Sequence, residues 1–320
     1  MWHGMVRRAQ QLLADLRGQW PKTASTHRPS PGQPAASGAI SYAPLKRVVL
    51  TDGVGRTLFE EYAQHRKRER GEEEIGWMLL GLRHTSEAVV LATLPAGAER
   101  DASVSHVRFN TEAQALASRI IRQADRRLTT LGVVHTHPGS LRHPSNGDLR
   151  GDGQWVAQLR GQEGVFGIGT ADGTEDNGAM FSYQPRPHVQ CLGGLRFSWY
   201  GLRHGDQVYR SLPVELTIGP DLARPLHRSW PLIEAHGQRL DRLCRQQVGV
   251  HFEVSSEDET PGLCLSIPLA EQGTAIRVLL GPEMIRYLVV RKGEVLEVDL
   301  DETGVDRGVY LLLAELASQV

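Results

Sequence analysis

Cysteine is scarce in this 320-residue chain: Cys191, Cys244 and Cys264 are the only three, widely separated and without a CxxC pair. An odd, scattered set excludes a disulfide framework and a cysteine-built zinc site, and leaves three small buried hydrophobes as the simplest reading. Long apolar runs are missing too. No stretch approaches the roughly 18 to 20 uninterrupted apolar residues that a bilayer crossing requires, and the N-terminus lacks the apolar core of a secretory signal. A cytoplasmic protein with no membrane partner is therefore expected. There is no large surplus of charge of either sign. The formal net charge is -1, which argues against a nucleic-acid partner, because dedicated nucleic-acid binders are mostly basic throughout. What is present is an ordinary globular composition. Hydrophobic residues make up 40% and charged residues 23%, enough for a sizeable core, so collagen-like, mucin-like and wholly disordered chains are excluded.

The charge is unevenly placed. Residues 1–47 carry seven Lys/Arg against Asp15 alone, a balance of +6 that leaves -7 for the remainder; the segment is either a solvated basic tail or a contact for an acidic partner. Within it, Met5, Leu12, Leu13 and Leu16 recur at helical spacing over 4–18, and PKTASTHRPSPGQPAASGA (21–39) has the composition of a linker. From about Tyr42, strand and helix patterns alternate. Strands are expected at 47–51, 74–83, 88–95, 131–138 and 165–171, and helices at 54–70, 111–128 and 146–160. Further on, 195–202 and 207–216 read as a hairpin divided by RHGD, followed by a helix at 232–247, four strands, and a helix at 305–318. The expected fold class is α/β, a mixed β-sheet flanked by helices with a C-terminal α/β extension. The expected boundaries are an N-terminal helix and Pro/Ser-rich linker at 1–42, a first domain at 43–190, a hairpin extension at 191–219 and a C-terminal α/β domain at 220–320.

The informative stretch is HTHPGSLRHPSNGD, residues 135–148. His135 and His137 are two apart on a strand, so both imidazoles leave the same face. Asp148 opens the next helix, close enough through a short loop to bring a carboxylate beside them. Two imidazoles and one carboxylate make a three-ligand zinc site with the fourth position open for water, the arrangement of a catalytic zinc. Such chemistry needs a proton acceptor that later protonates a leaving amine, and the acids that open the strand IGWMLLG are Glu72, Glu73 and Glu74. Ser145 offers a hydroxyl to the oxygen that becomes negative when water adds to a carbonyl. Each element also has a plainer reading. Ser145 and Asp148 spell the S-x-x-D helix-capping signature, and His-x-His on a strand is compatible with a half-exposed polar face. The joint pattern favours a metal site.

The pattern H-x-H-x7-S-x-x-D with an upstream glutamate resembles the JAMM motif of JAB/MPN-fold metalloproteases, and His135, His137, Ser145 and Asp148 match it without gaps. In that family the glutamate opens a strand reading roughly E-x-x-G-L-L-L-G. Counting back from Gly81, EIGWMLLG places it at Glu74, with Glu73 as the fallback because the inner glycine falls one position early, at Gly76, and Trp77 stands in its usual place. The resemblance covers about residues 43–190 and implies a JAB/MPN catalytic domain with the cytidine-deaminase-like layout. It implies a zinc hydrolase of the amide or isopeptide bond after the C-terminal glycine of a ubiquitin-like protein. By position, His135, His137 and Asp148 would hold Zn2+, Glu74 would be general base and acid, and Ser145 would steady the tetrahedral intermediate.

The excess of Arg over Lys and the short motif loop are similar to bacterial JAB proteins that accompany E1-like, E2-like and ubiquitin-like partners in conjugation or antiviral defence systems. Precursor maturation and deconjugation both fit that resemblance. The alternatives are a non-catalytic MPN scaffold subunit and a RadC-like DNA-associated protein; the first usually loses zinc ligands that this chain keeps, and the second lacks support from a near-neutral charge. His143, in the motif loop, is expected to face solvent, and RKRER (66–70) to be a solvated helix end.

Overall fold

A computed structural model describes residues 41–97, 101–102, 107–172, 182–255 and 261–318. The N-terminal helix and linker expected at 4–39 lie outside the described residues. No helix among the described residues is long and apolar enough to cross a membrane. The chain forms two compact units, 41–241 and 242–318.

The first unit runs β1 (Arg47–Thr51), α1 (Asp52–His65), β2 (Gly76–Arg83), β3 (Glu87–Pro95), β4 (Asp101–Ala102), β5 (Val107–Arg108), α2 (Thr111–Arg122), β6 (Thr129–Thr136), α3 (Asn146–Trp155) and β7 (Glu163–Thr170). It continues with β8 (Tyr183–Arg186), β9 (Val189–Leu192), β10 (Leu195–Arg203), β11 (Arg210–Ser211), β12 (Val214–Thr217), α4 (Arg224–Arg228) and most of α5 (Trp230–Gln246). The large sheet has the order β12-β1-β3-β2-β6-β7-β10-β9-β8, with β11 on β10. It is mixed: β6 lies parallel to β7 and antiparallel to β2.

The sheet curls because one short segment serves both of its ends. Ser211 pairs with Tyr200 of β10, and three residues later Val214 pairs with Val48 of β1 while its N–H donates to the Pro187 carbonyl at the β8–β9 turn. Helix α1 fills the curl. Thr51 caps it by accepting from the Val54 N–H, and Val54, Leu58, Phe59 and Tyr62 turn one face inward. Phe197 of β10 meets Phe59 at 5.0 Å and Tyr62 at 6.0 Å between ring centroids, both edge-on, and Trp77 of β2 at 6.3 Å. Edge-on packing is the arrangement that aromatic quadrupoles favour. Close strand approach depends on glycine: a Cβ on Gly132 of β6 would stand 1.7 Å from the Val165 carbonyl oxygen. Buried Glu163 ties the curl together, accepting from the Leu45 N–H at 2.7 Å, from Arg83 at 3.3 Å and from Arg210 at 2.6 Å.

Several expectations change. Helix α1 stops at His65, and RKRER follows it as turns; beyond Tyr62 there is no large apolar residue to bury, and adjacent positive charges repel. The segment expected as a separate hairpin at 191–219 supplies β10 to β12 of the same sheet. Residues 220–241, expected in the C-terminal domain, belong to the first unit. Asp221 explains this, because its carboxylate accepts from the Thr93 N–H and hydroxyl and from the Ala223 N–H.

The second unit is an antiparallel meander of β13 (His251–Ser255), β14 (Gly262–Pro268), β15 (Thr274–Leu280), β16 (Ile285–Arg291) and β17 (Glu294–Val298), followed by α6 (Val305–Ser318). Strict alternation in β14 and β15 buries Leu263, Leu265, Ile267, Ile276, Val278 and Leu280 on one face. Val305, Val309 and Leu312 are the buried apolar side chains of α6, which packs on β15 and β16.

Two measurements check this account. Phe197→Ala should cost about 3–5 kcal/mol of unfolding free energy, read from urea midpoints. The second concerns His227, whose Nδ1 donates to Glu61 at 2.5 Å and whose Nε2 donates to the Thr93 carbonyl at 2.7 Å. Both partners only accept, so the ring is an imidazolium; burial pushes its pKa down, but Glu61 outweighs that and the net direction is up. The stabilisation is then fully present below the ordinary histidine value near 6.5 and is lost as pH rises through the raised folded value. Wild type should lose stability relative to His227→Gln across that rise; parallel pH profiles of the two proteins would refute the pairing.

Candidate active site

Strand β6 carries His135, and His137 follows directly after its end. Their shared face is set by alternation, and their position by the neighbours. The Thr136 N–H donates to the Ile75 carbonyl at 2.9 Å, the Ile75 N–H donates to the Thr136 hydroxyl at 3.0 Å, and the His137 N–H donates to the Gly169 carbonyl of β7 at 2.8 Å. Gly76 stands opposite His135. Glu74, two residues earlier, therefore falls on the face of the two histidines, and it is 4% exposed. Glu73 is engaged elsewhere, its carboxylate on Arg70 and its carbonyl accepting from His65.

Asp148 arrives from the other side on α3. Ser145 is the N-cap: its hydroxyl oxygen accepts from the Gly147 N–H at 3.1 Å and the Asp148 N–H at 3.2 Å, while the Asp148 Oδ2 accepts from the Ser145 N–H at 2.5 Å. The complete capping box is present. It does not compete with the metal-site geometry, because it aims the carboxylate. Asp148 Oδ1 lies 3.3 Å from His135 Nε2, and Oδ2 lies 3.5 Å from His137 Nε2. The two Nε2 atoms are 3.1 Å apart.

Those separations identify what the cluster can hold. His137 Nδ1 faces the Leu141 carbonyl at 2.8 Å, an acceptor, so Nδ1 carries a proton and Nε2 is the ring nitrogen turned towards the centre, where it can offer its lone pair to a metal. That nitrogen faces the Asp148 carboxylate. Ligand atoms bound tetrahedrally at about 2.0–2.1 Å stand roughly 3.3 Å from one another; the two Nε2 atoms are 3.1 Å apart, and each faces a different Asp148 oxygen, at 3.3 and 3.5 Å. His135, His137 and Asp148 thus have the donor chemistry and the spacing for a metal ion, with all ligand atoms within 4.8 Å.

The local field has the same sign. Burial pushes the His135 pKa down, yet Asp148, Glu74 and Asp152 more than offset it and the net direction is up. Burial pushes Asp148 up, but the two histidines and the Ser145 N–H hold it well below the usual carboxylate range. Asp152 was not singled out from the sequence, although its place one turn beyond Asp148 puts it on the same helix face. It is buried and pushed up to about 6, chiefly by that burial, against hydrogen bonds from Tyr209 at 2.6 Å and Trp155 at 3.3 Å. The motif loop is anchored by the Tyr200 hydroxyl, which donates to the Arg142 carbonyl at 2.8 Å and stands 2.9 Å from His143 Nδ1. His143 is exposed, as expected, but not idle.

Residues 56–183 match the family model described as prokaryotic homologs of the JAB domain. The match supports the JAB/MPN fold for the first unit, and its span includes Glu74, His135, His137, Ser145 and Asp148. A solved structure, the solution structure of protein DSY2949 from Desulfitobacterium hafniense, is similar over 54% of this chain and 95% of its own, at 17% identity and a TM-score of 0.35. No curated protein matches the chain.

Within this JAB-like unit the Ser145 hydroxyl uses its lone pairs on two backbone N–H groups and keeps its proton for another acceptor. Ser145→Ala should therefore lower unfolding free energy by about 1 kcal/mol through the lost cap, whereas Ser145→Thr should retain most of it. Equal urea midpoints for wild type and Ser145→Ala would show that the cap does not hold α3.

Proposed function

We propose that the first unit is a zinc-dependent JAMM-type metallopeptidase that hydrolyses the amide or isopeptide bond after the C-terminal glycine of a bacterial ubiquitin-like protein. The observation that carries the reading is the convergence of His135, His137 and Asp148, their ligand atoms within 4.8 Å of one another, with Glu74 buried on the same face. His135, His137 and Asp148 would hold the ion. Zinc in such a site lowers the pKa of water towards about 7 and polarises a carbonyl.

The chain's own groups supply the rest. Glu74, held beside the histidines by the Ile75–Thr136 hydrogen bonds, accepts the proton of the attacking water and returns it to the leaving amine, so one carboxylate serves as base and then acid. The Ser145 O–H donates to the oxygen that becomes negative when water adds. The substrate class rests on the resemblance of the motif, since a water-activating site does not define which amide it attacks. A conjugation or defence setting with E1-like and E2-like partners follows from the same resemblance.

The test is zinc content by plasma mass spectrometry beside cleavage of ubiquitin-like fusions. One zinc per chain is expected in wild type and Glu74→Gln and none in His137→Ala; Glu74→Gln should lose about 10²–10⁴-fold in turnover. Protein that stays metal-free after zinc is supplied would overturn the hydrolase reading in favour of an MPN scaffold. Activity that survives Glu74→Gln but not Glu73→Gln would move the base by one residue.

A further inference from the structure

The acidic centre sits beside a basic rim. Strand register gives the layout: His135 stands beside Ile168 of β7, and Ile168 opposite Ser198 of β10, so Arg196, Ser198 and Tyr200 share the face of the two histidines. Around Tyr200 gather Arg142 and His143 of the motif loop, His188 of the β8–β9 turn with its ring centroid 6.1 Å from that of Tyr200, Arg186 at the end of β8, and Arg196. Among the described residues Asp172 is the acid found there, and it is already committed: it accepts from Arg142 at 2.5 Å and from the Thr170 hydroxyl at 2.7 Å. The Arg196 Nε is buried and has no hydrogen-bond acceptor among the described residues. The positive charge of Arg196 acts on both Tyr200 and Asp172, in each case favouring the ionised form.

We propose that Arg142, His143, Arg186, His188 and Arg196 form a subsite for an acidic, extended stretch of the substrate tail just before the scissile glycine. The proposal rests on the peptidase reading above and narrows its substrate. The tail side is the one chosen because it is common to precursors and conjugates alike, whereas the leaving side differs between them. Distance sets the position. Arg196 is two strands from the histidine column, roughly 10 Å at the usual strand spacing, which is about three residues of extended chain. The surplus of positive charge is also felt at His188, whose pKa is lowered by burial and by Arg186 and His143. A peptide is favoured over nucleic acid because the patch is small, is continuous with the motif loop, and belongs to a chain whose net charge is -1.

Binding tests this separately from catalysis. The probe is a fluorescein-labelled peptide with acidic residues upstream of a C-terminal Gly-Gly, against the same peptide with Gln and Asn in their place, measured by anisotropy on full-length Glu74→Gln protein. The acidic peptide should bind about tenfold more tightly, and the advantage should vanish in Arg196→Gln and shrink in Arg186→Gln, whose exposed side chain makes misfolding no explanation. Moving the acids away from the third position before the glycine should weaken binding. Equal affinities for the two peptides would overturn the proposal, as would tighter, arginine-dependent binding of single-stranded DNA. If the acidic peptide binds as expected while no fusion is cleaved and no zinc is found, the peptidase reading fails and the acidic-peptide subsite stands.

Discussion

The pair of hydrogen bonds between Ile75 and Thr136 is the constraint on which the candidate site depends. One is an ordinary ladder bond from the Thr136 N–H; the other uses the Thr136 hydroxyl as acceptor for the Ile75 N–H. Together they extend the β2–β6 pairing beyond Gly76, and so decide that Glu74 rather than Glu73 lies beside the histidines. A slip of one residue would turn Glu74 to the opposite face. Glycines make this register available, because β6 comes so close to β7 at Gly132 that a side chain there would strike the neighbouring backbone.

The same economy holds at Asp148. Capping and metal binding are usually offered as rival explanations of an S-x-x-D signature. Here one carboxylate is placed for both: Oδ2 reaches back to the Ser145 N–H, and the head of the group lies within 3.5 Å of both imidazoles. The cap is thus what orients the acid. Asp148, Glu74 and Asp152 also make the surroundings of His135 negative, which favours positive charge there. Hydrogen bonds from the Ser145 N–H to Asp148 and between His137 and the Leu141 carbonyl orient those two side chains, so the protein scaffold sets the spacing.

Much of this was legible in the sequence, for identifiable reasons. The histidine pair, Ser145 and Asp148 lie within fourteen residues, where local geometry alone brings them together, and the resemblance supplied Glu74 from across a strand pair. Helix α6 was readable because its apolar spacing is complete. What escaped was non-local. Nothing in residues 210–217 announces that they touch both ends of the sheet, and Phe197 looks like any strand aromatic until α1 is folded against it. Strand β13 has no counterpart among the sequence expectations: HFEVS alternates, but it is only five residues long with two apolar positions. Helix α1 is shorter than its periodicity predicts because charge repulsion after His65 competes with that periodicity, and only burial decides between them.

Charge layout separates two fields on one sheet face. Glu74, Asp148 and Asp152 make the histidine column negative, while Arg142, Arg186 and Arg196 make the region two strands away positive. A single uniform potential would suit neither of the two proposed roles, because a positive field at the histidines would repel a cation and a negative field at the rim would repel an acidic chain. Asp172 stands between them, tied to Arg142 and to Thr170 next to the β7 end. Its bond to Arg142 pins the motif loop, and the loop in turn holds His137 through the Leu141 carbonyl. The boundary between the two fields is therefore also the strut that keeps His137 aimed, so a change in the rim at Arg142 reaches the centre mechanically as well as through its charge.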